Sequence, residues 1–360
     1  MIVARDLLKL GKPRRSLIPL SAQLRNAKPE EHVQALLDGT RPKYCTELGA
    51  MFLGDSSRLL RRVPDRSVSL VVTSPPYALH FPKEYGNADK EAYVEWFRPF
   101  AREIARVLKP DGSFVLNIGG SYNKGVPTRS LYQFRLLLML CDEIGFHLAQ
   151  ECFWFNPARL PCPAEWVNVR RVRIKDSVEY IWWLSPSPNP KANNRNVLAE
   201  YSADMKRLLI RGYRAKERPS GHKISAKFTD RGGAIPSNVI ARGNNESNSE
   251  YLELCKKYHL KPHPARFPAA LPEFFIKLLT EDGDVVVDPF AGSNTTGAVA
   301  ERLKRRWLAF EMEPNYVEAS RLRFRLGSRG RIGATQKSLP QTEARRDVER
   351  GGPRKTQGRA

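Results

Sequence analysis

Apolar positions along this chain fall into short blocks whose spacing changes from one block to the next. Ser67-Val68-Ser69-Leu70-Val71-Val72-Thr73 is a compact apolar run that stops at Ser74-Pro75-Pro76, as a strand buried on both faces would. From Tyr93 to Leu108 the apolar residues recur with helical period, and Lys109-Pro110-Asp111-Gly112 reads as the breaker that ends the helix. Ser113–Ile118 is the next predicted strand, followed by a helix over Leu131–Ile144 closed by Gly145, and by strands at Phe146–Phe155 and Ser177–Leu184. Further on the pattern predicts a helix at Pro272–Thr280, a strand at Asp284–Val287, a helix at Thr295–Leu303, a strand at Arg306–Glu311 and a helix at Tyr316–Leu326. Strands alternating with helices predict an α/β sheet.

Three stretches stand outside this pattern. Residues 1–50 are basic and weakly periodic, with the clearest helical pattern at Glu30–Leu37, and read as an appendage. Residues 185–262 are rich in Pro, Asn, Gly, Arg and Lys, with helices expected only at Ser202–Arg211 and Ser249–Tyr258, and read as an inserted module. Residues 328–360 hold nine Lys/Arg, three Asp/Glu and almost no large apolar side chain, so burial cannot offset their ordering entropy and a disordered basic tail is expected. The ordered fold is then expected in two halves, 51–184 and 263–327.

Charge changes the picture most. The 360 residues carry 60 Lys+Arg against 38 Asp+Glu, a formal net charge of +22, and such self-repulsion points to a polyanionic partner, nucleic acid first. Five scattered cysteines without a C-x-x-C pair suggest neither a zinc ribbon nor a disulfide framework, and no metal is expected. No apolar run reaches the length of a membrane span and the first residues lack the core of a secretory signal, so the expected setting is the cytoplasm, at the nucleoid.

Two loops carry candidate chemistry. Val285-Val286-Val287-Asp288-Pro289-Phe290-Ala291-Gly292-Ser293-Asn294-Thr295-Thr296-Gly297 is a strand entering a tight loop of small residues and then a helix, which lets a ligand approach backbone at a helix N-terminus. Nineteen residues after Gly292, Glu311 ends the next strand, where a carboxylate can accept from both ribose hydroxyls of a nucleoside cofactor. A dinucleotide loop would place glycine where Asn294 stands, and Asp288 is expected as an anion facing the site, so a cofactor with a cationic end fits better. A plain turn with a helix cap is the competing reading of such a loop taken alone. The second loop is Thr73-Ser74-Pro75-Pro76-Tyr77. Its two prolines stiffen the backbone and leave carbonyl acceptors projecting. Ser74 and the Pro75 carbonyl can accept from an exocyclic amine, and Tyr77 offers a face on which a base can stack.

Together, Thr-Ser-Pro-Pro-Tyr and Asp-Pro-Phe-Ala-Gly-Ser-Asn-Thr-Thr-Gly resemble the amino-group DNA methyltransferases that use S-adenosyl-L-methionine. The order, with the catalytic loop first and the cofactor loop last, is similar to the permuted beta group of that family. The likeness is closest to its cytosine-N4 enzymes, through Lys83-Glu84-Tyr85-Gly86-Asn87, Leu108–Phe114, Pro219-Ser220-Gly221-His222, His263-Pro264-Ala265-Arg266-Phe267-Pro268 and Phe310-Glu311-Met312, and covers roughly residues 52–325. The resemblance implies a seven-stranded, mostly parallel sheet with helices on both faces and an inserted target-recognition region at 185–262. It assigns Ser74, Pro75, Pro76 and Tyr77 to catalysis, and Asp288, Phe290, Gly292, Ser293, Asn294, Thr295 and Glu311 to the cofactor. Phe267 and Pro268 join the cofactor pocket, as does Asp55 in Leu53-Gly54-Asp55-Ser56. Asn294 departs from the glycine of most members but resembles the cytosine-N4 subgroup.

Site-specific methylation of cytosine N4 in double-stranded DNA after base flipping is the function so implied, with adenine-N6 methylation as the alternative and a non-catalytic DNA-binding scaffold behind it. A restriction endonuclease could accompany it as a functional, not physical, partner, and the protein would act as a monomer or homodimer. For DNA contact the basic residues Arg170, Arg171 and Arg173 are candidates, with Lys191, Arg195, Arg214, Lys216, Arg218, His222, Lys223, Lys227 and Arg231 of the inserted region. Cys162 after Pro161 and the pair His259 and His263 are decoys, because no strand precedes the one and prolines interrupt the other.

Overall fold

Side-chain alternation along the strands sorts the apolar residues into two layers. In the strand Val68–Thr73 (β3), Val68 and Val71 belong to one buried cluster while Leu70 and Val72 belong to the other. The same division runs through Gly49–Leu53 (β2), Leu108–Ile118 (β4), Val178–Ser185 (β6), Val285–Asp288 (β8) and Arg306–Glu311 (β9). Trp182 and Trp183, adjacent on β6, therefore face opposite ways, and both are core. The computed structural model describes residues 37, 40–78, 92–212, 229–244 and 248–324. The helix expected at 30–37 lies outside them except for Leu37, and the basic tail at 328–360 lies wholly outside.

Helices close both layers. Helix α1 (Ser56–Leu60), α2 (Tyr93–Val107) and α3 (Tyr132–Leu138) cover one, α2 burying Tyr93, Phe97, Phe100, Ile104 and Val107 along one stripe. Beyond α4 (Ala203–Arg211) and α5 (Ser249–Lys257), the other layer is covered by α6 (Ala270–Leu279), α7 (Thr295–Arg302) and α8 (Pro314–Ser320), with Leu271, Phe275, Ile276, Val299 and Val317 inward.

The sheet has nine strands among the described residues, not the expected seven, in the order β1-β2-β9-β8-β3-β4-β6-β5-β7, where β1 is Tyr44–Cys45, β5 His147–Phe155 and β7 Val239–Ala241. The two additions are short edge strands of the kind that hydrophobic periodicity cannot reveal. Strands β2, β9, β8, β3 and β4 run parallel, β6 is antiparallel to both β4 and β5, and β7 pairs parallel with β5. The segment read as an appendage thus supplies β1 and the first two residues of β2 to the sheet. Lys109–Gly112 is also no break between elements. Strand β4 starts at Leu108 opposite Val68, and a register shift between Val68 and Leu70 absorbs the proline-containing stretch. The third predicted helix is α-helical only to Leu138, after which Met139–Glu143 widens into a π turn ending near Gly145, whose φ is +89°. No helix of the described residues is long and apolar enough to cross a membrane.

Candidate active site

Strands β3, β8 and β9 run parallel, so their C-terminal ends, Thr73, Asp288 and Glu311, open on the same edge of the sheet. A cavity of ≈ 1180 Å³ lies there. Ser74, Pro75, Pro76 and Tyr77 line it from β3, while Phe290, Gly292, Ser293, Thr295 and Glu311 line it from β8, α7 and β9, and Asp55 and Phe267 complete that side. The two loops singled out by sequence thus form the walls of a single space.

On the cofactor side, Glu311 is held by backbone. Its Oε2 accepts from Gly292 N at 2.8 Å, and its Oε1 accepts from Met312 N and Glu313 N at 2.9 Å each. Burial nevertheless raises the Glu311 carboxyl above its ordinary range, with those amides opposing. Gly292 has φ +52°, and a Cβ there would meet the His263 ring at 3.2 Å, so both conformation and the close approach of His263 call for glycine. Asn294 also adopts a left-handed conformation (φ 56°), which Asn tolerates, and its Oδ1 accepts from Gly297 N at 3.0 Å to cap α7. Its Nδ2 donates to Tyr44 Oη at 3.1 Å, which ties edge strand β1 to the loop. Asp55 caps α1 by accepting from Ser57 N at 2.8 Å, beside the Gly54 N to Glu311 O bond that joins β2 to β9.

Three of the expected cofactor residues do not line the cavity. Asp288, expected as an anion facing the site, is buried, with Oδ1 accepting from Thr73 Oγ1 at 2.7 Å and Phe290 N at 3.1 Å, and Oδ2 accepting from Thr296 Oγ1 at 2.6 Å. Burial raises its carboxyl to about 6 against the pull of the Thr296, Thr73 and Phe290 hydrogen bonds. It is the clasp that locks the β3 loop to the β8 loop. Asn294 sits beneath the loop as its cap, and Pro268 lies off the wall that Phe267 supplies.

Across the cavity a polar cluster surrounds the Ser-Pro-Pro-Tyr turn. Tyr77 Oη donates to Glu179 Oε2 at 2.7 Å, and Ser74 Oγ lies 3.1 Å from Tyr77 Oη. Asn117 Nδ2, at the end of β4, donates to Tyr77 Oη at 2.8 Å, to Glu179 Oε2 at 3.2 Å and to Ser74 Oγ at 3.3 Å. Arg159 pairs with Glu179 Oε1 at 2.9 Å. Burial first, and then the Glu179 charge, push the Tyr77 phenol well above its ordinary value, so it stays protonated. Tyr93 Oη donates to the Pro76 carbonyl at 2.7 Å and fixes the turn, and Gly119 lets the Tyr77 ring lie where a Cβ would approach within 2.5 Å.

Sequence reasoning missed Asn117, Arg159 and Glu179, along with the aromatic wall of Trp96 and Phe100, whose rings lie 5.8 and 5.0 Å from that of Phe290. One signal was readable: Glu179 is a lone acid entering the run Tyr180-Ile181-Trp182-Trp183, where charge has no place unless it meets a partner. His263, set aside as a metal ligand, packs edge-on to Tyr316 at 4.5 Å, and burial lowers its pKa to about 4.

The basic residues separate by position. Arg170, Arg171 and Arg173 lie on the β5–β6 connection, which leaves the sheet at the cavity end and sends Arg159, Leu160 and Cys162 into the cavity wall. Arg170 is bonded to Glu165 at 2.8 Å and stacks over Trp166, while Arg173 donates to the Pro127 carbonyl at 2.9 Å. Lys191 follows β6, pairs with Glu281 at 2.9 Å and Asp284 at 3.2 Å, and so lies at the N-terminal end of β8, away from the cavity. Arg195 lies in a turn whose neighbours Asn193 and Asn196 bond to Leu278 and Lys277 at the end of α6. Arg231 donates its backbone N–H to Tyr201 Oη at 3.0 Å and is not part of the cavity wall. Arg214, Lys216, Arg218, His222, Lys223 and Lys227 lie outside the described residues, as does the Lys83–Asn87 motif.

Comparison with known proteins gives concordant matches. The family model N6_N4_Mtase, described as DNA methylase, matches residues 68–322. Type II methyltransferase M.PvuII from Proteus hauseri is 54% identical over 290 residues, 79% of this chain and 86% of that protein. Type II methyltransferase M.BglII from Bacillus subtilis is 28% identical over 273 residues, 75% of this chain and 67% of that one. Among solved structures, the PvuII DNA methyltransferase (cytosine-N4-specific) matches with a TM-score of 0.66 at 49% identity, covering 79% of this chain and 89% of the other.

Proposed function

The chain belongs to the DNA methylase family, and from that premise we propose that it methylates the N4 amino group of a cytosine flipped out of duplex DNA, with S-adenosyl-L-methionine as methyl donor. The observation that carries this reading is the single cavity walled by Ser74 and Tyr77 on one side and by Gly292 and Glu311 on the other. That wall fits the cofactor. Glu311 offers carboxylate oxygens at the end of β9 for ribose hydroxyls, Gly292 keeps the backbone approachable, and Phe290 with Trp96 and Phe100 supplies flat apolar surface. The carboxylates of Asp55 and Glu311 on the wall suit a cationic sulfonium. When bound there, the cofactor supplies an electrophilic methyl.

The protein's share of the reaction is placement. The cytosine amine is a weak nucleophile because its lone pair is conjugated into the ring, so fixing its direction is the main gain available. Ser74 Oγ and the Pro75 carbonyl accept from its hydrogens, on a turn held by Tyr93 through the Pro76 carbonyl. Arg170, Arg171 and Arg173, on the connection that rims the cavity, are placed for phosphates flanking the flipped base. The described parts of 185–262 and the rest of that region act as the target-recognition module. Because both named relatives are Type II methyltransferases, we place the protein in restriction–modification, protecting sites that a separate endonuclease would cut.

Digestion of methylated duplex to nucleosides and mass analysis tests the reading. N4-methylcytosine is the expected product, and dominant N6-methyladenine would replace the cytosine assignment with the adenine one.

A further inference from the structure

The polar cluster behind Ser74 contains one residue with no role so far. Glu179 reaches in from β6, a strand separate from both motif loops, and its carboxylate accepts from Tyr77, Asn117 and Arg159. We propose that Glu179 is a positioning residue that fixes the donor–acceptor polarity of the target pocket, keeping Ser74 Oγ an acceptor, beside the Pro75 carbonyl, for the two hydrogens of an exocyclic amine. The proposal rests on the methyltransferase reading and deepens it, since it concerns how the pocket tells an amino base from a keto base.

Each hydrogen in the cluster has one direction open to it. A carboxylate only accepts, so the single Tyr77 hydroxyl hydrogen is committed to Glu179 Oε2 at 2.7 Å. Tyr77 Oη is then an acceptor toward its other neighbours. Ser74 Oγ, 3.1 Å away, gives its own hydrogen to Tyr77 and keeps its lone pairs for Asn117 Nδ2 and for the cavity. Glu179 also orients the Asn117 amide. The amide nitrogen must face Glu179, Tyr77 and Ser74, because an oxygen turned that way would meet the carboxylate. Asn117 Oδ1 consequently points away from Ser74, Tyr77 and Glu179, and the amide is fixed as a donor toward all three. Arg159 pairs with the other carboxylate oxygen, Glu179 Oε1, at 2.9 Å. A keto oxygen at the same place would face only lone pairs, which selects against thymine and guanine at the catalytic position.

The test is equilibrium binding, without cofactor, to a duplex carrying the target site mapped by methylation sequencing. The target base is either cytosine or 2-pyrimidinone, which lacks the amine. The analogue also pairs less well and is easier to flip, so the quantity read is the ratio of the two Kd values, compared between proteins. In Glu179→Gln the side chain can donate, the direction of the chain is no longer imposed, and the preference for cytosine should fall about tenfold relative to wild type. Tyr77→Phe cuts the same chain in its middle and should give the same loss, which keeps the test decisive if Glu179→Gln melts early. Affinity for S-adenosyl-L-methionine should be unchanged in both. An equal ratio in all three proteins would overturn the proposal. A wild-type product other than methylcytosine would instead count against the functional reading, and the same comparison with adenine and purine would then judge Glu179 separately.

Discussion

The two walls of the cavity are built in opposite ways. On the cofactor side the chain folds on itself locally: Gly292, Asn294 and Gly297 lie within one loop, and Glu311 is held by amides of Gly292, Met312 and Glu313. On the target side Ser74, Asn117, Arg159 and Glu179 are far apart in sequence and come together because β3, β4 and β6 are neighbours in the sheet, with Thr73 opposite Leu116 and Asn117 opposite Ile181. Local backbone shape makes one wall, and long-range side-chain chemistry makes the other. Backbone donors survive most substitutions, so the cofactor wall should be graded in its response to mutation. A side-chain network loses its direction when one member changes, so the target wall should fail sharply.

Ser74→Ala gives the sharpest break. It should reduce kcat by about 10²-fold or more while leaving the Kd for S-adenosyl-L-methionine unchanged, because it removes an acceptor for the amine and nothing on the cofactor wall. Steady-state kinetics with calorimetry separates the two quantities, and a parallel loss of cofactor affinity would mean the walls are not independent.

Asp288 is where they meet, through Thr73 and Thr296. Its carboxyl is raised from 3.8 to about 6 in the fold, so the folded state binds the proton more tightly than the unfolded chain. The stability this contributes is present below pH 3.8 and is lost as pH rises through 6, by roughly 3 kcal/mol. Asp288→Asn cannot titrate. Its unfolding free energy relative to wild type should therefore rise by up to that amount between pH 4 and pH 7, as urea denaturation at several pH values would show. A difference that does not vary with pH would mean that Asp288 is as acidic as a solvated aspartate.

A smaller effect is expected at the cofactor wall itself. Glu311→Ala should weaken S-adenosyl-L-methionine binding about tenfold, the loss of hydrogen bonds to a charged group, with kcat at saturation changed much less. Unchanged affinity would place the ribose elsewhere. The smallest effects concern DNA. Replacing Arg170, Arg171 and Arg173 together should flatten the dependence of log affinity on log salt by up to about 0.9 for each phosphate left unneutralised, whereas Lys191→Ala, with its charge already met by Glu281 and Asp284, should leave the slope as it is. Equal slopes for both variants would erase the distinction between the cavity end of the sheet and the far end.

How far each wall could be read from the chain follows from its construction. Glycine at 292, the cap at Asn294 and the acid at Glu311 belong to a strand–loop–helix–strand unit whose parts are near neighbours in sequence, and periodicity with turn chemistry locates such units. Strands β3, β8 and β9 were legible because they are buried on both faces, and α2 because its stripe is regular. The two-residue β1 and three-residue β7 were not, since edge strands this short carry no period. Lys109–Gly112 misled because proline and glycine mark turns in most settings, and here a register shift lets a strand pass through them.

What the sequence determined by itself was the identity of the two loops and their attachment to buried strands, because both depend on residues a few positions apart. What only the tertiary structure decided was which side chains complete them. Asp288 clasps Thr73 and Thr296 beneath the cavity, Lys191 meets two carboxylates at the far end of β8, and Glu179 is carried from the start of an aromatic strand to the back of Ser74. The reason is physical: a charge or hydrogen bond acquires its meaning from the partner within about 3 Å, and strand pairing, not sequence distance, chooses that partner.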